Sequence, residues 1–176
     1  MQGLDFFIPD TESLPQQFQM QTPFVAVVIG GQHATKILPT YKLIELCQQL
    51  NRPFVLVGGA EDAERGEEII KATSHGLNAC GKLSLTQSAL LVKGADFVVS
   101  HDTGMMHISA ALKKKIYSVW GNTVPAFGME PYLSDPASVM LENKELGCRP
   151  CSKIGYAKCP RGHFKCMTEI DLSPIK

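Results

Sequence analysis

The chain has 176 residues, of which 44% are hydrophobic and 19% are charged. This length and composition are typical of one globular domain and exclude a collagen-like or disordered chain. Because 17 basic residues balance 17 acidic ones, no overall field draws the chain to nucleic acid or to an anionic membrane. No apolar run approaches the about 18 residues of a membrane span, and no secretory signal is recognisable. We therefore expect a cytoplasmic protein with reduced cysteines and no nucleic-acid partner.

Residues 1–22 are polar apart from the short apolar island Phe6–Pro9, and we interpret them as a linker or leader. From residue 23 onward, apolar runs alternate with segments of helical spacing, and glycine pairs follow the first two runs. The predicted strands are, in chain order, Phe24–Ile29, Phe54–Val57, Leu77–Ala79, Phe97–Ser100 and Ile116–Trp120. The predicted helices are Pro39–Leu50, Ala60–Ala72, Ser84–Lys93 and Gly104–Leu112.

Continuous apolar strands separated by helices favour a parallel sheet that is covered on both faces. Residues 23–140 are therefore predicted to form a Rossmann-like, doubly wound α/β domain. Residues 141–176 are rich in Cys, Pro, Gly and Lys, so we expect an irregular tail that packs on the domain, with one short helix at Met167–Leu172. In such sheets ligands bind at the carboxyl ends of the strands, next to helix N-termini.

The strongest functional signal is the segment Ser-His-Asp-Thr-Gly-Met-Met-His from Ser100 to His107, which closes a predicted strand and opens a helix. Thr103 and Gly104 fall in the first helical turn, where free N–H groups and the helix dipole favour an anion such as phosphate. Asp102 is a natural N-cap. His107 lies about one turn further and could donate to a phosphate oxygen or a leaving group. The alternative is a capped helix with a packed histidine.

A second signal is the loop Gly-Gly-Gln-His-Ala-Thr-Lys after the first predicted strand. Backbone donors are free around Gly31 and Gln32, and Lys36 brings one positive charge suited to a diphosphate. The spacing of glycine and lysine in this loop is not that of a P-loop. Because side chains in such loops contribute little to a core, we expect the fold to tolerate the loss of Lys36. The alternative is a solvated surface lysine.

An acidic residue after the second predicted strand is a candidate for holding a ribose hydroxyl. Asp62 is the predicted residue, with Glu61 and Glu64 as its neighbours. The alternative is that these acids only favour the start of a helix through its dipole.

Taken together, these residues resemble the ADP-heptose:lipopolysaccharide heptosyltransferase family, whose members have the two-domain GT-B fold. The resemblance covers nearly the whole chain. The segments that carry it are Gly3–Pro9, Thr35–Pro39, Gly58–Asp62 and Ala95–His107. The residues that it places around the donor diphosphate are Lys36, Asp102, Thr103, Gly104 and His107. It also implies that Asp62 reaches the ribose and that Leu83 flanks the adenine.

The resemblance is to the C-terminal, donor-binding half of a GT-B enzyme, one half of that fold, because the acceptor-binding domain and its catalytic base have no counterpart in this sequence. It implies transfer of a heptose or related sugar from a nucleotide diphosphate, expected to be ADP-heptose, to a lipopolysaccharide core acceptor. Within this chain only His107 is a catalytic candidate. We expect the chain alone to bind the donor without turnover and to require no cofactor. The alternatives are a non-catalytic nucleotide-binding module and a zinc-stabilised interaction domain.

Four of the six cysteines lie in the tail, at Cys148, Cys151, Cys159 and Cys166. Four thiolates can bind tetrahedral zinc, and the first two cysteines form a C-x-x-C pair. Reduced packing cysteines and a disulfide are the alternatives. The basic residues between them could face an acidic lipid-sugar acceptor or the inner face of the inner membrane, or could be solvated.

Overall fold

A computed structural model describes residues 3–176 and shows a single sheet of parallel strands with helices on both faces. The strands are β1 (Val25–Val28), β2 (Phe54–Val57), β3 (Gly76–Asn78), β4 (Phe97–His101), β5 (Ile116–Trp120) and β6 (Val139–Glu142). The α-helices are α1 (Thr40–Leu50), α2 (Ala63–Lys71), α3 (Leu85–Gly94), α4 (Gly104–Ala111) and α5 (Lys165–Thr168). Short 3-10 turns at Gln16–Phe18, Ala34–Lys36, Ala60–Asp62 and Pro125–Phe127 complete the regular structure.

The strand order in the sheet is β3-β2-β1-β4-β5-β6. The chain first winds outward from β1 to β3 and then returns to β4 on the other side of β1, so that Val25 faces Phe54 on one side and Phe97 on the other. This order has its switch point between β1 and β4, where doubly wound sheets open a crevice for ligands. The predicted Rossmann-like α/β class is confirmed.

Two apolar layers bury the sheet because alternate side chains of each strand point to opposite faces. Val25 and Val27 of β1 belong to the layer beneath α1 and α2, together with Met167 from the tail. Ala26 and Val28 belong to the opposite layer, which α3 and α4 cover. Strands that are apolar on both faces explain why the sequence shows continuous runs rather than alternation.

The structure differs from the predicted elements in three places. A sixth strand, β6, crosses the predicted boundary at residue 140 and was missed because it is a short, partly exposed edge strand rather than a buried apolar run. The tail helix α5 begins and ends earlier than the predicted Met167–Leu172. Residues 1 and 2 of the predicted leader lie outside the described residues, and the side chain of Phe18 in the same segment is buried in the α3–α4 layer. Within residues 3–176, no helix has the length and apolar character needed to cross a membrane.

Candidate functional site

The carboxyl ends of β1, β2 and β4 border two adjoining cavities. The larger measures about 500 Å³ and lies over β1 and β2, between their glycine loops and the start of α3. The smaller measures about 320 Å³ and lies over the loops that follow β1 and β4. Gln32, Thr103 and Gly104 line both cavities. An elongated ligand could therefore occupy both by crossing the N-terminus of α4.

The smaller cavity contains a buried ion pair. Lys36 Nζ lies 2.7 Å from Asp102 Oδ2, and the two side chains are only 10% and 3% exposed. Thr123 Oγ1, which follows β5, donates to the same carboxylate oxygen at 2.9 Å. The expectation that Lys36 contributes little to the core is therefore wrong, because its neighbour Asp102 would lose its counter-charge in a buried position.

Asp102 is also not the N-cap that the sequence indicates. Thr103 occupies the N-cap position of α4 in an extended conformation, and its side chain makes no capping hydrogen bond. The Asp102 carboxylate instead points across the loop to Lys36 and Thr123. The first N–H groups of α4 consequently remain available to an anion at the cavity surface.

The remaining residues predicted to contact phosphate lie at the same cavity. A side chain at Gly104 would meet nothing within 4 Å, so the space above its backbone is open to a ligand. His107 lies one turn along α4 and lines the smaller cavity together with Lys36 and His33. The structure thus brings Lys36, Thr103, Gly104 and His107 together at the switch point of the sheet.

Removing only one charge of the ion pair is expected to destabilise the protein. Lys36→Met should lower the free energy of unfolding by roughly 3 kcal/mol, because it leaves Asp102 buried without its counter-ion. Urea unfolding measures this change. The double variant Lys36→Met/Asp102→Asn should regain most of the lost stability. Equal stability of Lys36→Met and the wild type would show that the pair is open to solvent.

The larger cavity contains the residues predicted to contact the nucleoside. Gly31, Gln32, Asp62 and Leu83 all line it. The end of the cavity near α3 is set by a capping box in which Ser84 Oγ accepts the Gln87 backbone N–H at 3.1 Å and Gln87 Oε1 accepts the Ser84 N–H at 3.1 Å.

Asp62 is buried and engaged by the protein itself. Its Oδ2 accepts the Gly59 N–H at 3.0 Å, and its Oδ1 lies 2.7 Å from Arg65 Nη2. Arg65 also donates to the carbonyl oxygen of Ile29 at the end of β1. A Cβ at Gly30 or at Gly58 would collide with the Asp62 carboxylate, so both positions require glycine for this close approach.

Glu61, rather than Asp62, presents an exposed carboxylate to the larger cavity. The two acids are neighbours in the sequence, and the sequence did not show which of them is exposed. That difference arises in the folded protein, where Asp62 binds Arg65 and lies against Gly30 and Gly58. Asp62 therefore joins the ends of β1 and β2, and Glu61 is the acidic group that lies closer to solvent on the cavity wall.

His101 is a further buried residue of the segment Ser100–His107. It supports the loop that follows β1 and carries Lys36, which we call the Lys36 loop. Its Nε2 accepts the Leu38 backbone N–H at 3.0 Å, and the side chain is 1% exposed. Burial, followed by the nearby positive charge of Arg65, lowers the pKa of His101 from 6.5 to about 3. The neutral ring required to accept this hydrogen bond is therefore the form present at neutral pH.

The neutral state of His101 predicts a pH dependence of stability. Because its pKa in the folded protein lies below its unfolded value, the unfolded chain binds more protons between about pH 3 and 6.5. Stability should be fully present above pH 6.5 and fall as the pH decreases, with this group contributing up to about 1.4 kcal/mol per pH unit. Urea unfolding of wild type and His101→Gln across this range isolates the contribution. Parallel stability curves would contradict it.

The tail packs against the outer side of the Lys36 loop. Thr35 Oγ1 accepts the Tyr156 N–H at 2.8 Å, and the Thr35 N–H donates to the Tyr156 carbonyl oxygen at 3.1 Å. Ile154 lines the smaller cavity with Lys36.

The four predicted zinc ligands Cys148, Cys151, Cys159 and Cys166 are all free thiols. Among residues 3–176, no three His, Cys, Asp or Glu side chains are arranged as a metal-binding group.

A doubly wound parallel sheet whose switch point carries an open helix N-terminus and a lysine is the architecture found in many α/β domains that bind phosphorylated ligands. Residues 6–158 match the model of glycosyltransferase family 9 (heptosyltransferase). The chain belongs to this glycosyltransferase family.

Similar proteins include curated and structurally characterised heptosyltransferases. Lipooligosaccharide heptosyltransferase 2 of Haemophilus influenzae is 29% identical over 157 residues, which are 80% of this chain and 45% of the relative. The structure of Escherichia coli ADP-heptose lps heptosyltransferase II has a TM-score of 0.65 and 25% identity over 87% of this chain and 48% of that one. The structure of E. coli heptosyltransferase WaaC with ADP has a TM-score of 0.61 and 26% identity, covering 72% and 39%. The chain therefore spans less than half the length of these relatives.

Proposed function

We propose that this chain is the donor-binding half of a heptosyltransferase, which binds a nucleotide-diphosphate sugar, with ADP-heptose as the donor. The observation that carries the proposal is the pair of cavities that meet at Thr103 and Gly104. The helix N-terminus lies where the cavities join, and the Lys36–Asp102 pair lies in the smaller one. The likeness to the E. coli structure with ADP supports this choice of nucleotide.

The two cavities suit different parts of such a donor. The larger cavity has an apolar wall that includes Val28, Leu83 and Leu85, which suits a flat base, and its exposed Glu61 can accept ribose hydroxyls. The diphosphate then crosses Thr103 and Gly104 at the start of α4. The sugar enters the smaller cavity.

The diphosphate would be received by hydrogen-bond donors of this chain. Lys36 supplies a charged ammonium donor, whose net charge Asp102 offsets, and α4 supplies N–H groups and a partial positive charge at its N-terminus. We therefore propose donor binding without a divalent cation. His107, which lines the smaller cavity, is the proposed proton donor to the departing phosphate oxygen.

Sugar transfer requires an acceptor nucleophile in line with the anomeric carbon. We propose that an acceptor-binding domain with the catalytic base supplies it, that the acceptor is a lipopolysaccharide core, and that the complete enzyme works in the cytoplasm at the inner membrane. Lys153, Lys158 and Arg161 are exposed on the tail, and Lys153 adjoins Ile154 at the smaller cavity. Their positive charge suits the anionic groups of such an acceptor or of the adjacent lipid surface.

The ion pair provides a selective test of diphosphate binding. The double variant Lys36→Met/Asp102→Asn is expected to bind ADP about tenfold to a hundredfold more weakly, because it loses a charge-assisted contact. Its affinity for adenosine should be nearly unchanged. Titration calorimetry with both ligands measures the difference, and EDTA should leave ADP binding unaltered.

Lys71→Met is the matched control, because Lys71 is an exposed lysine at the far end of α2 from the cavities. It should bind ADP like the wild type. Wild-type ADP affinity in the double variant would place the donor site elsewhere in the chain.

Glu61 is expected to recognise the ribose. Glu61→Gln should weaken the binding of ADP and adenosine by the same factor, about fivefold to tenfold, because both ligands share the ribose and the variant loses a charged acceptor. The loss should disappear with 2′,3′-dideoxy-ADP. Glu64→Gln, at a neighbouring exposed acid, is the control. An undiminished loss with the dideoxy ligand would exclude a ribose contact.

A further inference from the structure

The hydroxyl of Ser88 is a buried polar group that the protein itself does not satisfy. Ser88 lies inside α3 and is only 7% exposed. Its backbone N–H donates to the Ser84 carbonyl oxygen at 2.8 Å, as in any regular helix. Its side-chain oxygen has no hydrogen-bond partner among residues 3–176. Buried polar groups are rarely left in this state, because an unsatisfied hydroxyl raises the free energy of the folded protein.

The other buried serines of the described chain show what a purely structural serine does in this fold. Each of them has a protein partner: Ser100, Ser109 and Ser118. Ser109 is the direct comparison, because it also lies inside a helix and donates to the carbonyl oxygen of Met105, one turn earlier, at 2.7 Å. Serines in helices form this bond when no other partner is offered. Ser88 does not form it, so its hydroxyl is free for a ligand.

Ser88 lies at a place where a ligand can reach it, since it lines the larger cavity beside Leu83 and Leu85. The remaining polar side chains of the cavity wall come from the loops that follow β1, β2 and β4, namely Gln32, Glu61, Asp62 and Thr103. Those loops receive the ribose and the diphosphate in the proposed complex. Of the described residues, Ser88 is therefore the one polar side chain on the apolar wall that receives the base.

The start of α3 is fixed by the leader segment, which holds Ser88 in place. Gln87 Nε2 donates to the Ser13 carbonyl oxygen at 3.1 Å, and Thr86 Oγ1 donates to the Glu12 carboxylate. Further along the helix, three apolar side chains are fully buried in the core: Ala89, Leu91 and Val92. Because α3 cannot slide or rotate without breaking these contacts, the hydroxyl stays at the cavity wall. A hydrogen-bonding group that is fixed before the ligand arrives lowers the cost of binding.

We propose that Ser88 reads the edge of the nucleobase and is thereby a specificity-determining residue of the donor site. Its hydroxyl forms a hydrogen bond with one edge group of the adenine, either a ring nitrogen or the 6-amino group, since a serine hydroxyl can both donate and accept. This inference rests on the proposed donor function. The apolar side chains around Ser88 hold the faces of the ring, which all bases share, whereas the edge differs from base to base. A site built to pair with a polar group rejects ligands that lack it more strongly than an apolar pocket does.

The first test concerns the free protein and does not depend on any ligand. Ser88→Ala should raise the melting temperature by about 1–3 °C, because it removes an unsatisfied hydroxyl and alanine is the better helix former. Ser118→Ala, the control, should lower it, because Trp120 Nε1–H donates to the Ser118 hydroxyl at 2.9 Å. A lower melting temperature in Ser88→Ala would show that the hydroxyl stabilises the fold and would overturn the assignment.

The second test is titration calorimetry of the full chain with ADP and with analogues that each lack one edge group. Ser88→Ala should bind ADP about threefold to tenfold more weakly, the range for a lost neutral hydrogen bond. The analogues are 1-deaza-, 3-deaza- and 7-deaza-ADP and purine riboside diphosphate, which lacks the 6-amino group. With one of them the wild type and Ser88→Ala should bind equally, and with the other three the difference should persist. Ser88→Thr keeps the hydroxyl and should retain most of the affinity for ADP.

The outcomes separate this inference from the donor function on which it rests. Equal ADP affinities of the wild type and Ser88→Ala would refute the base contact and leave the donor function intact. A loss that is the same with ADP and with all four analogues would also refute it, because the effect would then act through the helix. A wild type that binds no nucleoside diphosphate would refute both, whatever the melting temperatures.

Discussion

The buried ion pair between Lys36 and Asp102 is the interaction on which the rest of the site depends. It joins the loop after β1 to the loop after β4, and Thr123 brings in the loop after β5. Two charges taken out of water are costly unless each has its partner and its hydrogen bonds. The three loops are therefore held in one arrangement, and the lysine is placed beside the start of α4 before any anion arrives. Such preorganisation lowers the cost of ordering the site on binding.

A second acid–base pair lies at the larger cavity. Asp62 and Arg65, whose side chains are 8% and 23% exposed, fasten the ends of β1 and β2 to the start of α2, with Gly30 and Gly58 allowing the close approach. This pair shapes the larger cavity without offering it a free carboxylate. The exposed Glu61 can then contact a ligand without a loss of structural stability. Neighbouring acids in the sequence thus have separate roles because only one of them reaches the arginine.

The sequence predicts the fold better than the roles of the site residues. Buried strands such as β1 and β4 appear as continuous apolar runs, and glycine pairs mark the loops at their ends, so the α/β class follows from local patterns. The edge strand β6 has no such run, since one face is partly exposed. The motif at Asp102 and Thr103 locates the site, but the N-cap role was assigned to the wrong residue. Spacing along the chain predicts a site lysine at Lys36 but not its ion pair with Asp102, because that contact forms only when the sheet is assembled.

The Lys36 loop receives support from two sides that differ in stability. On the sheet side, His101 accepts the Leu38 N–H and Asp102 holds the lysine, and both are buried in a rigid core. On the outer side, the loop rests on segment 152–158, which has no regular secondary structure of its own. The outer contact is therefore the one whose order can vary, because local stability follows buried contacts and protected hydrogen bonds. The hydrogen bonds between Thr35 and Tyr156 connect this outer contact directly to the loop, since Thr35 is the neighbour of Lys36 in the chain. Any change in the order of segment 152–158 therefore acts on the position of Lys36, whereas the contacts on the sheet side stay fixed.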